Sequence, residues 1–461
     1  METITSIADV RRFWQENRRP IYYFGNAVHH LLGMDGWVGN FAFVCRVDCF
    51  EGRHPNLFVP REIERDDVPE EDVVERLLRH PEVADHIRAR GGDPVALFLL
   101  FDERAEALCA DLGLEIWFPA AGARDVYGDK VETVRIGNVA GAPSVPNVLG
   151  KVERYEQLLE LTRQAGLGSD LVVQTPFGVC GQTTFFIANA DDWRRHAAEI
   201  AAQREVKIMK CIRCRSTTLE ACVTRCGTVV GPLLGEITGQ ETSPHWSGND
   251  VFAEAFPEAV RAKARDYAAR FGDELATHGY RGYFDLDFLV DQDGEVYLGE
   301  LNPRLTAATP ITSRAVRDGV PLFLFHLLEY SGADFDLDVP ALNARWADPS
   351  SIESWSEILV SRTSDEPGVV TEAPPSGVWR LDEGGEVAYE RFDHLGAALE
   401  SEREAFFLRV IEPGDRCYEG VGLGILLTRG RVTTDGSQLN DTARAWIKGL
   451  NAHYRTRPEE T

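Results

Sequence analysis

Residues 283 to 304 constrain the fold of this chain most strongly, because they predict a β-hairpin with two chemically different faces. Apolar and polar side chains alternate on both sides of Asp293-Gly294, the pair that favours a two-residue type I′ turn. A turn at that point sets Asp287 directly opposite Glu300. Because side chains alternate along a strand, one face of the hairpin is apolar and can join a core. The other face carries Asp285, Asp287, Glu300 and Asn302.

The polar face offers oxygen atoms of the kind that hold magnesium. Mg²⁺ prefers hard oxygen ligands and is usually held by one or two carboxylates together with substrate phosphates. Asp287, Glu300 and the amide oxygen of Asn302 are therefore the predicted metal ligands. Arg304, just beyond the hairpin, is placed to meet a phosphoryl oxygen. The alternative is a surface hairpin with a solvated acidic face, and the pattern alone does not separate the two.

The motif Glu300-Leu-Asn-Pro-Arg304 after an apolar hairpin resembles the ATP-grasp superfamily, in its biotin-carboxylase-like branch. The resemblance implies that ATP is a cofactor, with Mg²⁺, or Mn²⁺ in its place, held by Asp287, Glu300 and Asn302. It also implies catalytic roles for Glu300 and for Arg304, which would face the reaction centre. The resemblance favours Asp287 over Asp285 as the ligand, and it is clearest over residues 115 to 330.

The composition excludes several classes of protein. A chain of 461 residues, 44% of them hydrophobic, has enough apolar surface for about two to four structural units. Its net charge of −26 would repel nucleic acids and anionic membranes at long range. The N-terminus has no apolar signal segment, and no run of about twenty apolar residues could span a bilayer. We therefore expect a cytoplasmic enzyme that acts on small molecules. A homodimer is one assembly that such an enzyme could form.

Nine cysteines in a chain of this length do not indicate a disulfide framework. Four of them have the spacing C-x2-C-x7-C-x3-C, and closely spaced pairs can hold zinc. These four are Cys211, Cys214, Cys222 and Cys226. The spacing between the pairs is short for a zinc ribbon, and the neighbouring residues are typical of apolar strands. We therefore expect buried or half-buried thiols, with zinc as the alternative.

The chain divides into three predicted domains. Apolar runs alternate with helical segments through residues 1 to 115, which predicts a doubly wound α/β domain. The resemblance implies an ATP-grasp domain over residues 116 to 330, with a lid subdomain at about residues 155 to 235. Residues 331 to 461 begin with an acidic linker and continue with short strands and a closing helix, which predicts a mixed α+β domain. The predicted fold class is α/β and α+β.

The resemblance assigns Lys130, Gly178 and Gly181 to the nucleotide phosphates. Lys130 stands at the entry to the grasp fold, where the family has a lysine that reaches the phosphates. The two glycines lie in a loop between apolar strands, where they would let backbone amides close over phosphate oxygens. The alternatives are an ordinary turn for the glycines and a surface lysine for Lys130.

This chain departs from the family at Gln174, which stands on the strand before that loop. The family commonly has a phosphate-binding lysine there. Either Lys130 and Lys207 or Lys210 compensate for the missing charge, or the affinity for nucleotide is lower than usual.

Residues 206 to 212 match the strand that leads to the adenine-binding hinge of the family. Met209, Lys210 and Ile212 are the matching positions, and Glu220 on the next strand is a further predicted nucleotide contact. The lysine that carries biotin also follows a methionine, but that lysine stands at an exposed hairpin tip. Lys210 belongs to an apolar strand, so a biotin carrier is not favoured.

The resemblance implies that a carboxylate and ATP form an acyl phosphate, which an amine then displaces. Metal ions and an arginine stabilise the charge in such reactions, so no nucleophile-base pair is required. Biotin carboxylases have a glutamate base four residues after the arginine, and this chain has Ala308 there, which cannot accept a proton. A carboxylate-amine ligase is therefore favoured over a biotin carboxylase. A nucleotide-binding module without catalysis is the third alternative.

Residues 305 to 314 are small or hydroxylated and are expected to line the pocket for the acceptor substrate. Thr306 and Thr309 are predicted contacts, and Arg314 is predicted to pair with the free carboxylate of an amino acid. The alternative for Arg314 is a surface arginine. Such a pocket suits the joining of two amino acids, for example a glutamyl-type dipeptide. Stand-alone ligases of specialised bacterial metabolism, including antibiotic biosynthesis, are similar in length and in this motif.

Overall fold

The computed structural model describes residues 3–64, 68–178, 183–240, 243–396, 399–434 and 438–458. These residues form four β-sheets flanked by helices. Within them, no helix is both long and apolar enough to cross a membrane.

The N-terminal part is an α/β unit on one parallel sheet. Its elements are α1 (Ile7–Gln15), β1 (Ile21–Gly25), β2 (Phe41–Cys45), β3 (Leu57–Phe58), α2 (Glu70–Arg79), α3 (Pro81–Arg90), β4 (Val95–Phe98), α4 (Glu103–Leu112), β5 (Glu115–Ile116) and α5 (Ala121–Tyr127). The strand order is β3-β2-β1-β4-β5, so the order reverses at β1. Every residue of β1, β2 and β4 is buried, which is why these strands are continuous apolar runs.

The next segment contains a small antiparallel sheet, which we call the lid sheet. Its elements are α6 (Lys130–Ala140), β6 (Asn147–Gly150), α7 (Tyr155–Ala165), β7 (Leu171–Gln174), β8 (Thr184–Ile187), α8 (Ala190–Ala201) and β9 (Val206–Lys210). The strand order is β6-β9-β7-β8. Val173, Phe185 and Ile208 on one face pack with residues of α7 and α8. The opposite face carries Val172 and Met209, which belong to a separate apolar cluster.

A large sheet occupies the middle of the molecule. The elements of this segment are β10 (Cys214–Thr224), β11 (Gly227–Val230), β12 (Leu234–Gln240), β13 (Ser243–Val251), α9 (Glu258–Thr277), β14 (Gly282–Asp291), β15 (Val296–Asn302), α10 (Thr309–Thr312) and α11 (Phe323–Tyr330). The long helix α9 is amphipathic and buries Val260, Ala264, Phe271 and Leu275.

The large sheet continues into the C-terminal part of the chain. The elements there are α12 (Val339–Ala347), β16 (Trp355–Ser361), β17 (Gly368–Glu372), β18 (Gly377–Leu381), β19 (Val387–Arg391), β20 (Glu404–Arg409), β21 (Arg416–Cys417), β22 (Gly422–Arg429), α13 (Asp441–Ala452) and β23 (Arg455–Arg457). The order β15-β14-β10-β12-β13-β16-β22-β20-β18-β19 joins strands from both sides of residue 331. A parallel N-terminal sheet beside a large antiparallel one confirms the predicted mixed fold class.

The acidic segment after Tyr330 is not the linker that we predicted. Phe335 and Leu337 are buried, and the backbone of Ile4 exchanges hydrogen bonds with Asp334 and Asp336. Acidic and apolar residues alternate here with a period of two, so the apolar side chains face the N-terminal part while the carboxylates face outward.

The four closely spaced cysteines do not form one metal site. Cys214 and Cys222 are both on β10, eight residues apart, which is about 26 Å along a strand. Cys222 is buried, and Cys226 donates to the carbonyl of Phe335. The zinc alternative is therefore wrong, and the buried or half-buried thiols are confirmed for Cys222 and Cys226.

Candidate active site

The hairpin of β14 and β15 closes with a longer turn than the predicted type I′ turn. The amide of Asp291 donates to the Glu295 carbonyl at 3.0 Å, and the amide of Gly294 donates to the Asp291 carbonyl at 3.1 Å. Gly294 has a φ of +81°. These bonds define a three-residue turn with a left-handed glycine at its end, the other common use of an Asp-Gly pair.

A β-bulge then restores the pairing that we predicted at the acidic end. Val290 pairs with Val296 near the turn, whereas Asp285 pairs with Asn302, so one extra residue lies in β15 between these points. Gly299 and Glu300 together oppose Asp287, which is the two-against-one arrangement of a bulge. The added turn residue and the bulge compensate for each other, and the polar residues share one face.

We expect Gly299→Ala to disturb the metal end of the hairpin. A β-carbon at this position would lie 2.9 Å from the Asp287 carbonyl oxygen, so the bulge would have to open. The expected loss of unfolding free energy is about 1–3 kcal/mol, measured by denaturant titration. Gly294→Asn is the control, because asparagine tolerates positive φ. A Gly299→Ala protein with wild-type stability would contradict the bulge geometry.

The lid sheet faces the hairpin, and we call the region between them the cleft; one end of this region is apolar. Val145, Val172 and Met209 are buried there as one cluster. The partly buried residues packed against this cluster are Cys211, Ile212, Leu289 and Tyr297. Of the predicted hinge residues, Met209 thus belongs to this apolar cluster and Ile212 packs against it, whereas the side chain of Lys210 is exposed.

The opposite end of the cleft holds a cluster of carboxylates. Asp285 is only 2% exposed and accepts a hydrogen bond from the Thr218 hydroxyl. Burial and then repulsion from neighbouring carboxylates raise the pKa of Asp287 well above its usual range. Burial and repulsion from Glu300 raise the pKa of Glu236, on β12, to about 7. Sequence analysis did not identify Glu236, because only the sheet order brings β12 near the hairpin.

Two lysines approach Glu300 from different elements. Lys130, the first residue of α6, is buried; its Nζ lies 3.1 Å from Glu300 Oε2 and donates to the Gly178 carbonyl at 3.0 Å. Lys207, on β9, is fully buried and donates to the Gly299 carbonyl at 2.9 Å. Burial lowers the pKa of Lys207 to about 8. Both ammonium groups therefore point into the acidic end of the cleft.

Lys207 is the direct cross-strand partner of Gln174 in the lid sheet. Paired residues on antiparallel strands project from the same face, so Lys207 and Gln174 present their side chains to the same wall of the cleft. Gln174 donates to the Thr184 hydroxyl at 3.1 Å, and its Oε1 has no hydrogen-bond partner among the described residues.

Arg304 and Asn302 are bonded to each other at the exit of the hairpin. The amide nitrogen of Asn302 donates to Asp285 at 3.1 Å and to Asp287 at 3.3 Å, while its oxygen accepts from Arg304 Nη2 at 2.9 Å. Arg304 Nη1 donates to the Leu305 carbonyl at 3.0 Å. In this arrangement the amide oxygen of Asn302 faces Arg304 rather than the carboxylates, so it must rotate to act as the predicted metal ligand.

The glycine-containing loop begins at Gly178, which has a φ of +155°. A β-carbon there would overlap the side chain of Thr183, so only glycine fits. Gly181, the second predicted phosphate contact, lies outside the described residues.

Glu220 has a different environment from the one that we predicted. Its fully buried carboxylate accepts from the hydroxyls of Tyr283 at 2.7 Å, Thr306 at 2.9 Å and Thr309 at 2.6 Å. Burial raises its pKa, and these hydroxyls act in the opposite direction. The predicted nucleotide contact is therefore wrong for Glu220, since its oxygens hold the segment after Arg304 in place. Thr306 and Thr309 face this carboxylate rather than open space.

Arg314 does not have the free guanidinium that the predicted role requires. It donates to the carbonyls of Pro310 at 2.7 Å, Leu395 at 2.7 Å, Gly396 at 3.3 Å and Leu32 at 3.4 Å. These carbonyls belong to three segments that are far apart in sequence, near residues 32, 310 and 395, and Arg314 links them through hydrogen bonds. The prediction that it binds a substrate carboxylate is contradicted by this geometry.

Arg314→Met is expected to reduce stability rather than substrate affinity. Removing the guanidinium leaves several carbonyls without a donor, which should lower the unfolding free energy by about 2–3 kcal/mol. Denaturant titration measures this loss, and substrate KM values should stay within about twofold of wild type. A protein of unchanged stability with a greatly raised KM for one substrate would restore Arg314 to the substrate site.

Comparison with known proteins identifies the fold. No protein-family model matches the chain. Biotin carboxylase from Nostoc sp. is 26% identical over 226 residues, which are 47% of this chain and 48% of that protein. The chain thus matches about half the length of this curated relative.

Solved structures match over more of the chain. The biotin carboxylase β-γ-ATP complex from Campylobacter jejuni has a TM-score of 0.59 at 14% identity, over 89% of this chain and 87% of that chain. Carboxyaminoimidazole ribonucleotide synthase from Aspergillus clavatus, complexed with ATP, has a TM-score of 0.58 at 13% identity, over 95% and 99%. The chain therefore has the ATP-grasp fold, as the motif from Glu300 to Arg304 predicted. These likenesses are to biotin carboxylase and to carboxyaminoimidazole ribonucleotide synthase.

Proposed function

We propose that this chain is an ATP-dependent, ADP-forming carboxylate-amine ligase that joins two amino acids through an acyl phosphate. The observation that carries the proposal is the approach of Lys130 and Lys207 to the hairpin at Gly299 and Glu300, beside Asp287. A magnesium triphosphate needs carboxylates for the metal and ammonium groups for the phosphate oxygens, and this cleft supplies both. The two solved structures described above contain β-γ-ATP and ATP.

The carboxylate cluster fits a divalent cation. Several carboxylates in one buried place repel one another, as the raised pKa values of Asp287 and Glu236 indicate, and a cation relieves that repulsion. Asp287, Glu300 and Asn302 would hold Mg²⁺, with Mn²⁺ as a substitute. When bound, the ion neutralises charge that develops between the transferred phosphoryl group and ADP.

The two ends of the cleft suit the two ends of ATP. The apolar cluster of Val145, Val172 and Met209 would contact the adenine ring, and the backbone of the segment through Lys210 and Ile212 would read its edge. Lys207 would supply the positive charge that Gln174 lacks, since the two side chains are cross-strand partners. Lys130 already bridges Glu300 and Gly178, so it would hold the triphosphate between the hairpin and the loop.

The reaction then follows from position and charge. A substrate carboxylate oxygen attacks the γ-phosphorus of ATP, and ADP leaves. The amine nitrogen of the second substrate attacks the acyl carbon, inorganic phosphate leaves, and the nitrogen loses a proton. Arg304 stands at the exit of the hairpin, where its guanidinium would stabilise the charged oxygens of both steps.

Biotin carboxylation is the competing function, and the Nostoc relative favours it. At the position of the carboxylase base this chain has Ala308, which is buried and cannot accept a proton from bicarbonate. Glu220 is close to Thr306 and Thr309, but both of its oxygens already accept hydrogen bonds. We therefore rank the amino-acid ligase first. A nucleotide-binding module without catalysis is the third candidate.

ADP and phosphate release from MgATP distinguishes the three. Pools of amino acids are supplied in one set of reactions, and bicarbonate with biotin in another. A requirement for two amino acids supports the ligase, and a requirement for bicarbonate and biotin supports the carboxylase. Nucleotide binding without turnover in any reaction supports the non-catalytic nucleotide-binding module and would contradict the proposed ligase.

A further inference from the structure

The carboxyl edge of the N-terminal sheet is a candidate position for a ligand-binding crevice. The strand order reverses at β1, and β1 and β4 end side by side, with Phe24 opposite Phe98. In open parallel sheets, ligands bind outside the carboxyl ends of the strands at the point where the order reverses. The segments that follow β1 and β4 therefore frame a candidate binding position that the nucleotide cleft does not use.

Arg124, on α5, borders this position and lacks a strong partner. Its guanidinium lies over the Phe101 ring, 5.1 Å from the centroid, just beyond β4. The side chain is only 11% exposed, and Nη1 is buried without a hydrogen-bond partner among the described residues. The ion pair with Asp125 is long, at 3.7 Å, and that carboxylate is 62% exposed. An unpaired guanidinium nitrogen in a buried position is unfavourable unless a ligand meets it.

The segments that carry Arg124 and Arg304 pack against each other. Gly128, one turn after Arg124, packs against Pro303: a β-carbon there would lie 4.0 Å from its Cδ. Burial lowers the pKa of Arg124, and the positive charge of Arg304 acts in the same direction. The two guanidinium groups thus repel each other across the junction of the N-terminal sheet and the hairpin.

We infer that Arg124 and Arg304 together hold the free carboxylate of an amino-acid substrate at this crevice, an inference that rests on the proposed function. A carboxylate between the two arginines would remove their repulsion and satisfy Nη1, and the planar guanidinium matches carboxylate geometry. Arg124 thus takes the role that sequence analysis assigned to Arg314.

Binding measurements on the full chain test this inference without requiring turnover. Melting temperatures are recorded for the wild type, Arg124→Met and Arg124→Lys in the presence of MgADP. The probes are the standard L-amino acids and the corresponding amino-acid amides, which lack the free carboxylate. Arg163→Met, which removes an exposed arginine paired only with Glu160 among the described residues, is the matched control.

We expect at least one amino acid, and not its amide, to raise the melting temperature of the wild type and of Arg163→Met. Arg124→Met should lose this response, with an increase of about 10- to 100-fold in Kd for the amino acid and no change for ATP. Arg124→Lys keeps the charge without the planar guanidinium and should recover part of the affinity. If Arg124→Met does not fold, the partial loss in Arg124→Lys tests the inference instead. An undiminished response in both Arg124 variants would overturn the inference, as would a wild type that does not distinguish any acid from its amide.

The outcome separates this inference from the proposed function. Loss of acid binding in Arg124→Met, without amino-acid-dependent ADP release by the wild type, would refute the ligase and keep the carboxylate site. Amino-acid-dependent turnover with the same KM values in Arg124→Met would keep the ligase and refute the carboxylate site.

Discussion

Glu300→Gln is expected to reduce amino-acid-dependent ADP release at least about a hundredfold while the protein stays folded. Glutamine has the size of glutamate but not its charge, so the ion pair with Lys130 is lost and the metal loses a carboxylate ligand. Circular dichroism and melting temperature check the fold, and steady-state assays with saturating MgATP measure kcat.

Glu295→Gln is the matched control, because Glu295 belongs to the same hairpin but is exposed and pairs with Lys263 near the turn. It should keep wild-type turnover. Arg304→Ala should show a loss comparable to that of Glu300→Gln, since it removes the guanidinium that we propose stabilises the charged oxygens of both steps. Wild-type kcat in either Glu300→Gln or Arg304→Ala would refute the assignment of the active site.

Exchanging the side chains of Lys207 and Gln174 is expected to preserve ATP binding, although removing Lys207 alone should weaken it. In Lys207→Gln the cleft loses one ammonium group, which should raise Kd for MgATP about 10- to 100-fold, the usual effect of losing a hydrogen bond to a charged group. The double variant Gln174→Lys/Lys207→Gln returns the lysine to the neighbouring strand at the paired position. It should bind MgATP within about tenfold of wild type.

Isothermal titration measures the Kd for MgATP of the wild type, Lys207→Gln and the double variant. The single variant Gln174→Lys shows whether a second lysine is tolerated. The double variant contains the same two side chains as the wild type, so it controls for the loss of a buried charge. Equal ATP affinity in Lys207→Gln and the wild type would show that Lys207 does not contact the phosphates. Weak binding in both Lys207→Gln and the double variant would show that a lysine at position 174 does not replace Lys207 on β9.

The polar face of the hairpin was predictable from the sequence, because alternation along a strand depends only on local order. The turn was not, since Asp293-Gly294 suits both a two-residue and a three-residue closure, and Gly294 has positive φ in either. The bulge at Gly299 is also invisible to a pattern of period two. Two unpredicted irregularities cancelled, which is why the predicted pairing of the acidic end held while the turn was wrong.

Residues that depend on tertiary packing were assigned less well. Arg314 lies close to the motif in sequence, but it fastens carbonyls of three segments, a role that no local pattern reveals. Glu220 was expected at the nucleotide and instead accepts three hydroxyl donors. Glu236 was missed because only the sheet order brings it near the hairpin, and Arg124 because only helix packing brings its segment near Pro303.

The central claim is that a divalent metal bridges ATP to the carboxylates of the hairpin. Binding of ATP by isothermal titration, with Mg²⁺ and then with EDTA, tests it most directly in the wild type and in the double variant Asp287→Asn/Glu300→Gln. We predict that Mg²⁺ strengthens ATP binding to the wild type and has no such effect on the double variant. Equal affinity of the wild type with and without Mg²⁺, or an unchanged magnesium effect in the double variant, would contradict the account.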